Sequence, residues 1–132
     1  MSTPTVAELN ERYADYIAAW RQREREHQQR IQARAQSALS VVGACVQTLA
    51  DSFAVRRVWL FGSLLHPADA RHDTDIDLAV EGLDSALYFK ALHALYTQLP
   101  EGIDLDLITI ETAQPSLRQH ILATGALLYE HN

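Results

Sequence analysis

The residues best suited to chemistry form two short motifs, Gly62-Ser63 at the end of one apolar segment and Asp75-Ile-Asp77 at the start of another. A glycine lets the backbone approach a ligand closely, and the serine adds a hydroxyl and an amide, so the first motif could cradle phosphate. On a strand, Asp75 and Asp77 would project from one face, where a divalent metal could bind. Phosphoryl or nucleotidyl transfer needs both parts, because metals and fixed donors neutralise the charge of its transition state. The two motifs together predict an enzyme that handles a nucleoside triphosphate.

A third carboxylate could come from the segment between Ile103 and Ile110, which alternates apolar and polar residues and carries Asp104 and Asp106 on one face. Either aspartate would complete a two-metal site if this strand lay beside the one with Asp75 and Asp77. In isolation, the same pattern is also typical of an exposed sheet face.

The elements that must position these residues follow from the apolar periodicity. Apolar residues recur in steps of three and four from Thr5 to about Ala50, which predicts one long helix capped by Thr3 or Thr5. The pattern then predicts strands at 55–61, 75–80 and 103–110, a loop at 64–74, helices at 85–99 and from Pro115 to Gly125, and a short last strand at 126–130.

This order predicts an α/β fold, with a small mixed β-sheet, flanking helices and the metal–nucleotide site on an exposed face of the sheet. We divide the chain into an N-terminal helical region, residues 1–50, which packs partly on the rest, and a core of residues 51–132. No repeat, low-complexity segment or long linker separates further domains.

The N-terminal helix carries an apolar stripe that includes Tyr13, Ile17 and Trp20, followed by a stretch without apolar residues from Arg21 to Arg30. The polar stretch is either a solvated part of the helix or the base of a projecting arm. Because the stripe needs a cover, we expect an arm that binds a partner or a second copy of the chain, rather than one that folds back.

Composition excludes several classes. The chain has 132 residues, 48% of them hydrophobic, a net charge of −6 and a pI near 5.4, which argues against a nucleic-acid-binding face. Cys45, the single cysteine, is expected in the core. No apolar run is long enough to span a membrane, and the first residues do not resemble a signal peptide, so we expect a cytoplasmic protein.

The sequences Leu60-Phe-Gly-Ser63 and Asp75-Ile-Asp-Leu78 resemble the signature of the polymerase-β-like nucleotidyltransferase superfamily. The chain is most similar to the minimal nucleotidyltransferase (MNT) family, the small partners of HEPN-domain proteins in toxin–antitoxin pairs. The resemblance covers about residues 55–130 and does not include the first 32 or so. The loop between Ser63 and Asp75 is one residue longer than in most of the family.

By this resemblance, Gly62 and Ser63 hold the nucleotide phosphates, Asp75 and Asp77 bind magnesium, and Asp106 is the third acid, with Asp104 as the alternative. The implied reaction is the Mg2+-dependent transfer of AMP from ATP to a protein hydroxyl, with release of pyrophosphate. The implied acceptor is a tyrosine of a HEPN-type toxin, which makes the protein an antitoxin.

Two other functions remain open. The chain could be a non-enzymatic antitoxin or adaptor that binds a partner through its N-terminal helix. It could also transfer a nucleotide to a small molecule or an RNA end, although such enzymes usually carry a further substrate-binding domain. A zinc site at His66, His72 and Asp73 is not favoured, because the loop offers no convincing further ligand.

Overall fold

The computed structural model describes residues 3–66, 71 and 75–131, and within them the chain forms one mixed sheet flanked by helices. The elements are α1 (Val6–Phe53), β1 (Arg57–Phe61), β2 (Ile76–Glu81), α2 (Tyr88–Tyr96), β3 (Leu105–Thr109), α3 (Pro115–Thr124) and β4 (Ala126–Glu130). The described strands lie in the order β3-β2-β1-β4, with β1 antiparallel to both neighbours and β2 parallel to β3. The predicted α/β fold with a small mixed sheet is confirmed.

The long helix predicted at the N-terminus is present as α1, which runs for 48 residues without a break. Thr5 caps its start: the Thr5 hydroxyl accepts a hydrogen bond from the Glu8 amide at 3.2 Å, and the Glu8 carboxylate accepts one from the Thr5 amide at 3.4 Å. This capping box satisfies two amides that the helix itself leaves unpaired. The helix ends before Ala54, whose left-handed backbone (φ 53°) directs the chain towards β1.

Only the C-terminal half of α1 packs on the sheet. Its buried residues recur in steps of three and four, and therefore lie on one face: Ile31, Ala35, Ala38, Val42, Cys45 and Leu49. Cys45 is fully buried, as predicted, and this burial raises the pKa of its thiol. A buried thiol of this kind is a small apolar core group.

The sheet has a core on each face, because successive residues of a strand point to opposite sides. The larger core lies under α1 and α2 and takes Val58 and Leu60 from β1 and Leu78 from β2. The smaller core lies under α3, where Ile121 packs with Trp59 and with other residues of its face. The alternation predicted for β2 is confirmed, since Ile76, Leu78 and Val80 belong to the larger core and Ala79 to the smaller one.

The helix predicted over 85–99 is shorter in the structure. Asp84 caps its start, as predicted, but Ser85–Leu87 is a single 3-10 turn that precedes α2. After α2 the backbone tightens, and the Leu99 amide bonds to a carbonyl three residues back at 3.2 Å. Pro100 explains this early end, because the residue before a proline is displaced from the α-helical conformation.

Arg57 links three strands at one end of the sheet. Its guanidinium group lies 2.6 Å from the carboxylate of Glu81 and 3.6 Å from that of Glu130. Glu81 and Glu130 are also the residues that β2 and β4 place opposite Arg57 in register. The ion pairs therefore stabilise the register at the end of β1 that is remote from Gly62.

The N-terminal half of α1 extends beyond the sheet, and none of its residues from Val6 to Arg30 is buried. Most of the 64–74 loop, with His72 and Asp73, lies outside the described residues. His66 is described and is exposed. No helix among the described residues combines the length and the apolar character needed to cross a membrane.

Candidate active site

Strand pairing brings three of the candidate residues to the same end of the sheet. β1 ends at Phe61, which lies opposite Asp77 in the antiparallel register of β1 and β2. β3 runs parallel to β2 and places Asp106 beside Asp77. Because Gly62 directly follows Phe61, the end of β1 and the two carboxylates face a common region.

Gly62 and Asp77 approach each other more closely than any other residue type at position 62 would allow. A Cβ atom at Gly62 would overlap the Asp77 carboxylate oxygen Oδ2. The Gly62 backbone, with φ 80° and ψ −159°, also lies in a region that is essentially restricted to glycine. The glycine at the end of β1 is therefore required by the position of the Asp77 carboxylate.

Ser63 begins a single 3-10 turn, Ser63–Leu65, directly after Gly62. The Leu65 amide bonds to the Gly62 carbonyl at 3.2 Å, and Leu64 is buried and anchors the turn in the larger core. Ser63 itself is exposed. Ser63 is therefore accessible directly after the glycine that lies against Asp77, and its contact with phosphate stays a prediction.

Asp77 has the most strongly perturbed carboxyl group among the described residues. Burial raises the pKa of Asp77 to about 6, and the negative charges of Asp106 and Asp75 act in the same direction. Burial and two neighbouring negative charges thus disfavour the ionised form of Asp77 at this end of the sheet. A bound cation would relieve that repulsion.

Asp75 lies just before β2 and is held by two donors. Its Oδ1 atom accepts a hydrogen bond from Arg34 Nη2 at 3.2 Å and one from the Asp104 amide at 3.3 Å. Sequence analysis did not identify Arg34 as a site residue. The one available signal was that Arg34 is the only charged residue between Ile31 and Ala50, where α1 packs on the sheet.

The structure distinguishes the positions of the two aspartates near the start of β3. Asp106 lies within the strand and pairs with Asp77. Asp104 precedes the strand, and its backbone bonds on both sides: its amide to Asp75 and its carbonyl to the Ile76 amide at 3.0 Å. Asp106 is therefore the carboxylate that stands beside Asp77, whereas Asp104 contributes main-chain contacts that position Asp75.

Two tyrosines occupy the outer edge of β3 beside Asp106. The Tyr88 hydroxyl donates to the Leu107 carbonyl at 2.6 Å, and the Tyr96 hydroxyl donates to the Leu105 carbonyl at 3.0 Å. Burial raises the pKa of Tyr88, and the charge of Asp106 and the neighbouring Tyr96 act in the same direction. Tyr88 therefore remains a protonated donor, and it stabilises the strand that carries Asp106.

The donor set fits a magnesium ion that the nucleotide helps to bind. Carboxylate oxygens are the ligands magnesium prefers, and it usually takes one or two of them together with substrate phosphates. Among the described residues, no three acidic, histidine or cysteine side chains already form a metal-binding group. Asp77 and Asp106 supply two neighbouring carboxylates, and the remaining positions would fall to Asp75, phosphate or water.

The sequence profile described as polymerase beta, nucleotidyltransferase, matches residues 44–132, well over half of the chain. The chain belongs to this nucleotidyltransferase family. The membership confirms the resemblance seen in the glycine-serine and aspartate motifs. The matched residues also include the part of α1 nearest to β1, but not the N-terminal half of the helix.

Solved structures of toxin–antitoxin proteins share the fold. A tyrosine-to-alanine mutant of the toxin–antitoxin MntA–HepT is 26% identical, with a TM-score of 0.56 over 68% of this chain and 72% of the matched chain. A mutant of the same pair with two aspartate-to-glutamate changes is 22% identical, with a TM-score of 0.56 over 68% and 73%. A toxin–antitoxin crystal structure with AMP-PNP is 23% identical, with a TM-score of 0.54 over 67% and 73%. No significant match is found among curated proteins.

Proposed function

We propose that this nucleotidyltransferase transfers AMP from ATP to a tyrosine hydroxyl of a HEPN-type toxin, and that it acts in this way as an antitoxin. The observation that carries the proposal is the placement of Asp77 beside Asp106, with Gly62 packed against the Asp77 carboxylate. This pairing gives one end of the sheet a concentration of negative charge next to an open backbone turn. Such a site suits a metal–triphosphate better than a neutral substrate.

In the proposed complex, Ser63 and the neighbouring amides orient the triphosphate, because the turn that they form lies beside the carboxylates. Asp75, Asp77 and Asp106 are the residues that would hold magnesium. When bound, magnesium would neutralise charge on the phosphates and favour loss of the acceptor proton. Arg34 keeps the Asp75 carboxylate at the edge of this group.

The reaction forms a bond from the tyrosine oxygen to the α-phosphorus and breaks the bond from that phosphorus to the bridging oxygen. Pyrophosphate leaves with the electron pair of the broken bond. Asp106 would accept the tyrosine proton, since it is the exposed carboxylate beside Asp77. The chain thereby supplies position and charge, which are the main requirements of phosphoryl transfer.

The structural relatives support the nucleotide and the partner. One of them is a toxin–antitoxin structure with AMP-PNP, an analogue of ATP. Others are variants of the toxin–antitoxin MntA–HepT, in which aspartates or a tyrosine have been replaced. These are properties of those proteins, and they make ATP and a toxin the first substrates to test here.

The test is mass spectrometry of a HEPN-type toxin after incubation with this protein, ATP and magnesium. We expect the toxin to gain the mass of AMP on a tyrosine, and Asp77→Asn to abolish the gain. Transfer that persists in Asp77→Asn at the wild-type rate would overturn the assigned site.

A second function, neutralisation by binding alone, is favoured by the exposed N-terminal half of α1. In that case, the toxin would be inhibited without a change in mass, and Asp77→Asn would inhibit it as well as the wild type does. The same incubation therefore separates the two functions, provided that toxin activity is measured alongside mass.

A further inference from the structure

The N-terminal half of α1, residues 6–30, is a helical arm with large apolar side chains in solvent. The exposed fraction is 74% for Val6, 67% for Tyr13, 63% for Tyr16 and 49% for both Leu9 and Trp20. At 1.5 Å per residue, the arm extends about 37 Å beyond Ile31, the first buried residue of the helix. An apolar surface of this extent on a helix is typical of a protein interface.

The arm's apolar residues lie on the same face of α1 as the residues that pack on the sheet. An α-helix turns by about 100° per residue, so Val6, Leu9, Tyr13, Tyr16 and Trp20 all fall within about 60° of the direction of Ile31. Any object bound to this stripe must therefore lie on the domain side of the helix.

The arm also leaves the domain at the end that carries the candidate site. The last contacts before the arm are those of Ile31, which is buried, and Arg34, which bonds to Asp75 at 3.2 Å. Since α1 continues past Asp75, an object on the stripe would sit beside the carboxylate end of the sheet.

The charges around the stripe indicate the chemistry of that molecule. Arg12, Arg21, Arg23 and Arg30 flank the stripe at about 70–90° from its centre. Most of the arm's acidic residues lie on the opposite face, at about 130–170°: Glu8, Glu11, Asp15 and Glu26. Glu24 is the exception, on the stripe side beyond Trp20. Among the described residues, none of the four flanking arginines forms an ion pair.

This distribution favours an acidic protein over the other possible occupants. A second copy would bring arginine-flanked stripes together, and like charges across an interface are unfavourable. A membrane or a nucleic acid would favour a net positive arm, but residues 6–30 contain five arginines and five acidic residues, and the whole chain has a net charge of −6.

We propose that the arm docks the acceptor protein of the transfer reaction. It would do so by binding an amphipathic helix of the acceptor, and the apolar face of that helix would be flanked by acidic residues. The acceptor role rests on the proposed function, whereas docking to such a helix does not. Docking would hold the acceptor hydroxyl near Asp77 and Asp106 and raise its effective concentration there. The arm would therefore select the substrate without taking part in the chemistry.

The docking step can be tested with two synthetic helical peptides and the full chain. Both peptides carry leucines at the a and d positions of three heptads; one has glutamates at the flanking e and g positions and the other lysines. We expect the glutamate peptide to bind at least about tenfold more tightly, with an affinity that falls as salt is added. Equal binding of the two peptides, or no binding of the glutamate peptide, would overturn the docking proposal.

Single charge reversals locate the surface. Arg21→Glu, beside the stripe, should weaken binding of the glutamate peptide several-fold. Adding Arg12→Glu and Arg23→Glu to this variant should weaken the binding further. Arg25→Glu is the matched control: it makes the same charge change on the outer face, where Arg25 bonds to Gln22. An equal loss of affinity in Arg21→Glu and Arg25→Glu would show that the stripe is not the docking surface. Tight binding of the full chain to phosphatidylglycerol vesicles would show that the arm binds a membrane rather than a protein.

The acceptor role is tested with a HEPN-type toxin under saturating ATP and magnesium. The triple variant of Arg12, Arg21 and Arg23 to glutamate should raise the KM for the toxin about tenfold or more and leave kcat and the affinity for ATP unchanged. An unchanged KM would overturn the arm's role while the transfer function stands. If even the wild type transfers no AMP, the proposed function fails, and the peptide affinities still decide whether the arm docks an acidic helix.

Discussion

The carboxylate of Asp77 occupies the space that a side chain on Gly62 would fill, so position 62 requires glycine as long as Asp77 keeps its place. Gly62 ends β1 and Asp77 lies on β2, opposite the residue before the glycine. The relationship links the two motifs of the sequence in one geometric requirement. It explains why a glycine must stand next to the acid rather than anywhere else in the turn.

Gly62→Ala should therefore damage both the fold and the site. The new methyl group would displace the Asp77 carboxylate, and the backbone conformation would be strained, at a total cost on the order of 2–4 kcal/mol. Chemical denaturation measures this cost, and calorimetry should show a loss of ATP binding. Gly43→Ala is the control, since a Cβ atom added to Gly43 on α1 would meet nothing within 4 Å. That change should stabilise the helix by roughly 0.5–1 kcal/mol.

Much of this site follows from sequence patterns with a period of two. Along the two predicted strands, polar and apolar residues alternate, which puts Asp77 on the polar face of one strand and Asp104 and Asp106 on the polar face of the other. The end of the first strand predicts the turn at Gly62. The same period cannot decide between Asp104 and Asp106, because both lie on that face. The register of β3 against β2 places Asp106 beside Asp77, and pairing between strands distant in sequence sets this register.

The Arg34 contact illustrates what the sequence could not provide. Arg34 and Asp75 are 41 positions apart, and no local pattern tells which acid an arginine of a helix will meet. The elevated pKa of Asp77 likewise depends on burial and on two charges that only the folded sheet brings near. Helix and strand assignments were reliable because they rest on local periodicity, whereas contacts between elements required the structure.

The raised pKa of Asp77 predicts a pH-dependent stability. In the folded protein, Asp77 stays protonated up to about pH 6, whereas an ordinary aspartate has a pKa of 3.8. Between these two pH values, the folded protein therefore binds more protons than the unfolded chain. The free energy of unfolding should then fall as the pH rises through this window. In the presence of a chelator, Asp77→Asn should stabilise the protein at pH 7.5 by on the order of 1–2 kcal/mol, after allowance for solvent screening.

Denaturation between pH 4 and 7.5 measures this effect. The gain from Asp77→Asn should vanish towards the acidic end, where Asp77 is already protonated. Asp15→Asn, which alters an exposed acid of the arm, is the control and should produce no such profile. A stability gain that is the same at every pH would show that burial and charge do not act on Asp77 as described.

Magnesium should strengthen ATP binding, because the phosphates and the carboxylates repel each other without a cation. We expect titration calorimetry to give an affinity for ATP at least about tenfold higher with magnesium than with chelator. Asp77→Asn should remove most of this difference. An equal affinity for ATP in magnesium and in chelator would contradict the metal assignment and leave the peptide-docking proposal untouched.

The two aspartates near the start of β3 should differ in their effect on transfer. Asp106→Asn removes the carboxylate beside Asp77 and should abolish AMP transfer while sparing much of the affinity for ATP. Asp104→Asn should be milder, because the Asp104 contacts with Asp75 and Ile76 are made by its backbone. Single-turnover rates together with calorimetry test the order. A greater loss in Asp104→Asn would mean that the working register of β3 is shifted from the one described.

Arg34→Gln should separate positioning of Asp75 from stability. The side chains of Arg34 and Asp75 are 28% and 37% exposed, so the loss of their ion pair should cost less than about 1 kcal/mol of unfolding free energy. The rate of AMP transfer should fall by a larger factor, since Asp75 loses a donor that fixes its carboxylate. Arg34→Lys should be intermediate, because lysine keeps the charge but lacks the planar fork of the guanidinium group. Gln36→Ala, on an exposed position of the same helix, serves as the control and should change neither quantity. If Arg34→Gln transfers AMP at the wild-type rate, the ion pair with Asp75 is structural only.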